Sequence, residues 1–159
     1  MNLNAAHLHL LINHLPIFGA FLSLPLLLIA WWRRAEKGVL LCAVTIIVLA
    51  SIGAGLSYLT GEKAQDIVTG MPTVSMKAMA EHEDRAETAT VVMLVIGVAA
   101  VVLQVREWKR TTPPANWVFI ALIAAMLIAN AVVAWTALEG GMIRHSEVRP
   151  VESTSPDGG

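Results

Sequence analysis

The sequence predicts an all-α fold: a four-transmembrane-helix bundle running up-down-up-down, with both termini outside (N-out/C-out). Three observations predict it. The 159 residues are 56% hydrophobic and only 14% charged, where soluble domains are about 25% charged. Four mostly apolar stretches, about 10–32, 38–59, 85–107 and 117–139, each hold the ~20 residues that cross a ~30 Å hydrocarbon core. The turns joining the first to the second stretch and the third to the fourth are short, basic and bracketed by tryptophan. Residues 1–149 therefore read as one membrane domain, and 150–159, rich in Ser, Pro, Gly and acid, as a disordered tail.

Helix 1 follows a start, residues 1–6, that lacks the basic segment of a secretory signal, and its apolar run is too long for one. It is expected to be retained. Pro16 has no N–H for the carbonyl of Ile12, so a kink is expected there, with Asn13 and His14 as polar neighbours.

Helix 2 carries the one cysteine, Cys42, which has no intrachain partner and reads as a small buried apolar residue. Ser51 and Gly55 on helix 2, and Ala121, Ala125 and Ala129 on helix 4, stand at the spacing that lets membrane helices approach closely. Packing within the chain is the expected use. Leu59-Thr60-Gly61-Glu62 at the end of helix 2 faintly echoes Leu138-Glu139-Gly140-Gly141 at the end of helix 4, as two helix-hairpin repeats would.

Helix 3 is expected to begin before the membrane. Residues 72–110 contain no internal proline, Thr73 or Ser75 offers a cap, and residues 75–87 are strongly charged. His82 shares a stripe with Ala86, Ala89 and Met93 and is aimed inward, while Glu81 and Arg85 make an exposed i,i+4 pair. Pro113-Pro114 ends the segment. Gly140-Gly141 is expected to interrupt helix 4.

The turn over residues 31–37 holds Arg33, Arg34 and Lys37; the turn over 106–117 holds Arg106, Lys109 and Arg110. Trp31, Trp32, Trp108 and Trp117 flank them at headgroup level. Positive charge in short loops makes this face cytoplasmic. The opposite face, expected to be periplasmic in a cell inner membrane, holds ten of the twelve acids and all five histidines.

Helix rise places those histidines. Counting about 1.5 Å per residue from the tryptophan belt puts His7, His9, Glu62, His82 and His145 in one layer about 33–42 Å up, and His14 about 10 Å deeper. His7 and His14 are seven residues apart and share a helix face, from which His9 points away. Imidazole and carboxylate on facing helices suit a transition metal such as zinc, copper or iron. Two histidines from different helices also suit haem b; without CxxCH, covalent c-type haem is excluded. The candidate cofactor ligands are His7, His14, His82 and His145, and the candidate metal set adds Glu62 and Glu81.

The run His7-Leu8-His9-Leu10-Leu11-Ile12-Asn13-His14-Leu15-Pro16-Ile17-Phe18-Gly19, together with Leu59-Thr60-Gly61-Glu62-Lys63-Ala64, Glu81-His82-Glu83, Trp135-Thr136-Ala137 and Gly140-Gly141-Met142-Ile143-Arg144-His145, resembles an uncharacterised family of small bacterial four-helix membrane proteins. The resemblance covers nearly the whole chain to Arg149 and implies a four-helix inner-membrane protein. It implies no activity.

Two functions follow as expectations. One is a periplasm-facing His/Glu site binding a transition metal or haem b for redox or metal handling. The other is an accessory subunit of a larger membrane complex with no cofactor of its own. The expected partners are the lipid bilayer and either another membrane protein or a second copy of this chain. A net charge of −1 gives no reason to expect nucleic acid. A permease fits poorly, since only Thr45, Ser51 and Gln104 interrupt the apolar half of the helices. No nucleophile motif is present, and the chain is not expected to be an enzyme by itself.

Overall fold

A computed structural model describes residues 4–145, and all regular structure among them is helical. The order is α1 (Ala5–Ile12), α2 (His14–Trp32), α3 (Lys37–Val68), α4 (Met76–Trp108) and α5 (Asn116–Met142). With α1 and α2 forming one bent span, four segments are long and apolar enough to cross a membrane. Short connections make neighbours antiparallel. α3 packs on α2, α4 on α3, α5 on α4, and α2 closes the ring against α5. The outward rows, among them Phe21, Leu49, Val98 and Leu127, are exposed hydrophobics on every span, as a bilayer environment requires.

The first span is interrupted three residues before Pro16, at Asn13, whose N–H still reaches the carbonyl of His9 at 2.9 Å. The bend has a packing consequence. α2 touches both α3 and α5, whereas α1 leans on α3 and brings no Cα within 8 Å of α5.

Glycine and alanine let the backbones meet. A Cβ on Gly19 would stand 2.6 Å from the Ala50 Cβ, one on Gly53 2.6 Å from the Leu15 Cβ, and one on Gly97 2.5 Å from the Ser51 Oγ. Lipid tails give helices no hydrophobic reason to associate, so such close approach supplies the dispersion energy. Polar ties reinforce it. Ser51 Oγ donates to the carbonyls of Ile47 and Met93 (2.8 and 2.7 Å), and Asn130 Nδ2 reaches from α5 to the carbonyl of Ala20 on α2 (2.9 Å).

Several local expectations change. α3 does not stop near residue 59 but continues to Val68, because one glycine at 61 is tolerated within a helix that still has Lys63, Ala64 and Gln65 to propagate it. Glu62 is thus an exposed helical residue. α5 likewise runs through Gly140 and Gly141 to Met142. Cys42 is exposed on the lipid side, not buried. Gly55 meets nothing closer than the Leu94 Cδ2 at 4.0 Å, and of the alanine row only Ala129 is fully buried.

The α4 start follows the sequence reading: Ser75 caps it, its side chain accepting from Ala78 N at 3.2 Å. Gly70, with φ +84°, reverses the chain between α3 and α4. The Ser75 N–H then donates to the carbonyl of Ile143 (2.9 Å), tying this loop to the end of α5. The tail at 150–159 lies outside the described residues.

Candidate functional site

Two histidines are set into the bundle by the same local device. On α1, His9 is half-buried, with its Nδ1 3.0 Å from the carbonyl of Ser57 on α3 and 3.3 Å from the Thr60 Oγ1. On α4, His82 is half-buried, with its Nδ1 2.9 Å from the carbonyl of Thr136 on α5. A carbonyl oxygen can only accept, so in each ring Nδ1 carries a proton, and in the neutral imidazole that leaves Nε2 as the nitrogen with the lone pair.

The glycine one turn beyond each acceptor makes room for the ring. A Cβ on Gly61, four residues after Ser57, would lie 3.4 Å from the His9 Cε1; one on Gly140, four after Thr136, would lie 3.0 Å from the His82 Cε1. The pattern is Ser/Thr-x-x-x-Gly on the receiving helix and a histidine on the preceding span, once in each helix hairpin. Gly61 aligns with Gly140, the register of the faint echo in the sequence. α1 and α4 are diagonal in the bundle, without direct backbone contact.

Around His82 a denser polar group forms. The Thr136 hydroxyl donates to the carbonyls of Arg85 (3.2 Å) and Val132 (3.0 Å). Arg85 Nε lies 3.3 Å from the Glu139 Oε1, and its guanidinium sits 4.0 Å from the centroid of the Trp135 ring. Trp135 Nε1 donates to the same Glu139 oxygen at 3.3 Å. Glu139 is buried and its charge is compensated by Arg85, as a carboxylate at the membrane edge requires. The expected i,i+4 pairing of Arg85 with Glu81 gives way to this cross-helix pair.

The other sequence candidates are placed differently. His7 is exposed and its Nδ1 meets the side chain of its own helix cap, Asn4, at 2.8 Å. His14 is exposed, bonded through Nδ1 to the carbonyl of Leu10 (2.7 Å) and stacked on Phe18. Glu62, Glu81 and His145 are exposed at the same end. Among the described residues no three His, Cys, Asp or Glu side chains gather in a geometry that holds a metal ion. His82 points inward as the stripe with Ala89 and Met93 implies, both of which are buried.

His9 is the residue that helical counting misses. The sequence reading turns it away from the face shared by His7 and His14, whereas it is the histidine of the first span that enters the bundle. The angular relation itself holds, with His7 and His14 on one exposed face and His9 on the opposite one; what helical counting does not tell is which of the two faces α3 covers. The Ser57/Gly61 and Thr136/Gly140 parallel was the signal that could have found it.

Comparison of the chain with protein-family models, with curated proteins and with solved structures gives no match. The motif resemblance stands on its own residues, and the functional reading rests on the geometry of this site.

Proposed function

We propose that the protein is a membrane-embedded haem b protein in which His9 and His82 are the two axial ligands, serving one-electron transfer at one edge of the bilayer. The observation that carries this reading is the repeated setting of the two rings: each Nδ1 is committed to a backbone carbonyl and each Nε2 is left to bind. A hydrogen bond of this kind orients a ligating imidazole and raises its basicity. Two protein ligands suffice for haem iron, because the macrocycle supplies the other four nitrogens. A zinc site of the usual kind takes three or four protein ligands. That favours haem over a bare metal ion as the group this pair would hold. His7, His14 and His145 are not ligands in this reading.

A second reading has an observation of its own. Each ring packs against a glycine and bonds to a neighbouring helix, so the histidines also serve as clasps in an accessory subunit without a cofactor. Purification in mild detergent, followed by a visible spectrum and a metal assay, separates the two. The haem reading expects a Soret band at close to one haem per chain, lost in His9→Ala and in His82→Ala and kept in His7→Ala, His14→Ala and His145→Ala. Stoichiometric zinc or copper without that band overturns it in favour of a bare metal site. Absence of both from membranes grown with iron and haem precursor leaves the clasp reading.

A further inference from the structure

The opposite, tryptophan-ringed end carries a second site, independent of the histidines. Its cations are not equivalent. Arg33 is paired with Glu36 at 2.7 Å. Lys37 is turned inward, its Nζ donating to the carbonyls of Glu107 (3.1 Å), Trp108 (3.3 Å) and Arg110 at the end of α4. Arg106 and Arg110 flank the buried Glu107 carboxylate, each at 3.8 Å. Arg34 has no carboxylate partner among the described residues; its Nη1 instead donates to Asn116 Oδ1 at 2.7 Å.

Asn116 accepts a second hydrogen bond from the Trp31 Nε1 at 3.2 Å. Both lone pairs of its amide oxygen are then used, which identifies that atom as oxygen and leaves the amide NH2 as the free end. Arg34 also keeps N–H groups beyond the one given to Asn116. The groups are therefore all donors with a net positive charge, which is complementary to an anion that only accepts. They line a depression of about 420 Å³ formed by Leu28, Trp31, Trp32, Arg34 and Asn116. A second hollow of about 640 Å³ adjoins it across Arg34, reaching Ala35 and Glu36. The first has an apolar wall, Leu28 with the two indoles, running down the lipid-facing side of α2.

We propose that this groove binds the phosphodiester headgroup of an anionic phospholipid, with Arg34 and the Asn116 amide on the phosphate and Trp32 and Leu28 along the acyl chains. A phosphate at the end of two hydrocarbon chains matches two donor side chains, Arg34 and the Asn116 amide, at headgroup level beside an apolar wall. Free phosphate shares the headgroup chemistry but has nothing to place against Leu28 and Trp32.

The test uses the full chain in mild detergent and native mass spectrometry, titrating phosphatidylglycerol and phosphatidylcholine with identical acyl chains. Phosphatidylglycerol is expected to bind about tenfold more tightly, because phosphatidylcholine brings the same phosphate with a quaternary ammonium that Arg34 repels. Arg34→Gln is expected to abolish the preference, and Lys109→Gln, an equal change of charge outside the groove, to keep it. Trp32→Ala, at an 86% exposed position that leaves packing intact, is expected to weaken both lipids. Thermal unfolding of each variant reports whether it folds. Equal binding of the two lipids, or an equal loss in Lys109→Gln and Arg34→Gln, overturns the proposal. Displacement of the lipid by glycerol phosphate at equal concentration overturns the lipid as occupant.

Discussion

Gly140 lies so close to His82 that a Cβ built on it would stand 3.0 Å from the ring's Cε1 and 3.2 Å from its Nδ1. A Cβ on the next residue, Gly141, would meet nothing within 4 Å. An alanine gains about 1 kcal/mol over glycine in a helix interior, so Gly141→Ala is expected to be neutral or stabilising. Gly140→Ala has to push the ring off the Thr136 carbonyl and should melt several degrees lower than Gly141→Ala, at about 2–4 °C per kcal/mol for a chain of this size. Gly61→Ala, facing His9 at 3.4 Å, should fall between them. Circular-dichroism melts of the three variants in one detergent check the order.

Replacing His82 by asparagine separates ligation from clasping. The asparagine NH2 stands where Nδ1 stands and can donate to the Thr136 carbonyl, but nothing in it replaces Nε2. The haem reading expects His82→Asn to lose the Soret band while melting close to the parent protein. His9→Asn, facing the Ser57 carbonyl, should behave in the same way. A full complement of haem in His82→Asn would remove that residue from the ligand set.

The close helix contacts predict a graded series. Gly97→Ala and Gly19→Ala introduce a Cβ at 2.5 Å from the Ser51 Oγ and 2.6 Å from the Ala50 Cβ, and either must spread a helix pair. Overpacking of this kind costs about 1–3 kcal/mol. Gly55→Ala, with 4.0 Å of room, should cost nothing. Reversible unfolding in mixed detergent micelles measures the three on one scale.

Lys37 joins the first turn to the end of α4 through its bonds to the carbonyls of Glu107, Trp108 and Arg110. Lys37→Met keeps most of the stem and removes the donors, at a cost of about 1–3 kcal/mol for charged hydrogen bonds to partners left without them. The melting temperature, followed by circular dichroism in detergent, should fall accordingly.

Much of the architecture is legible along the chain because a bilayer imposes it. Every backbone group in hydrocarbon must be satisfied within its own helix, so length and apolarity alone mark the four spans. The bend near Pro16 and the Ser75 cap are equally local, each following from one residue's missing or available hydrogen-bonding group. The extension of α3 to Val68 and of α5 to Met142 was not legible. Glycine reads as a stop in isolation, and here Gly61 and Gly140 are helical residues that receive an imidazole.

By itself, then, the sequence determined an all-helical four-span membrane protein with its histidines at one end and an inward-facing His82. Which histidine of the first span turns into the bundle was decided only by tertiary structure. The helical period relates the three histidines to one another without saying which face is inner, and α1 takes its inner face from α3. Contact with Ser57, Thr60 and Gly61 therefore turns His9 into the bundle and leaves His7 and His14 outside it.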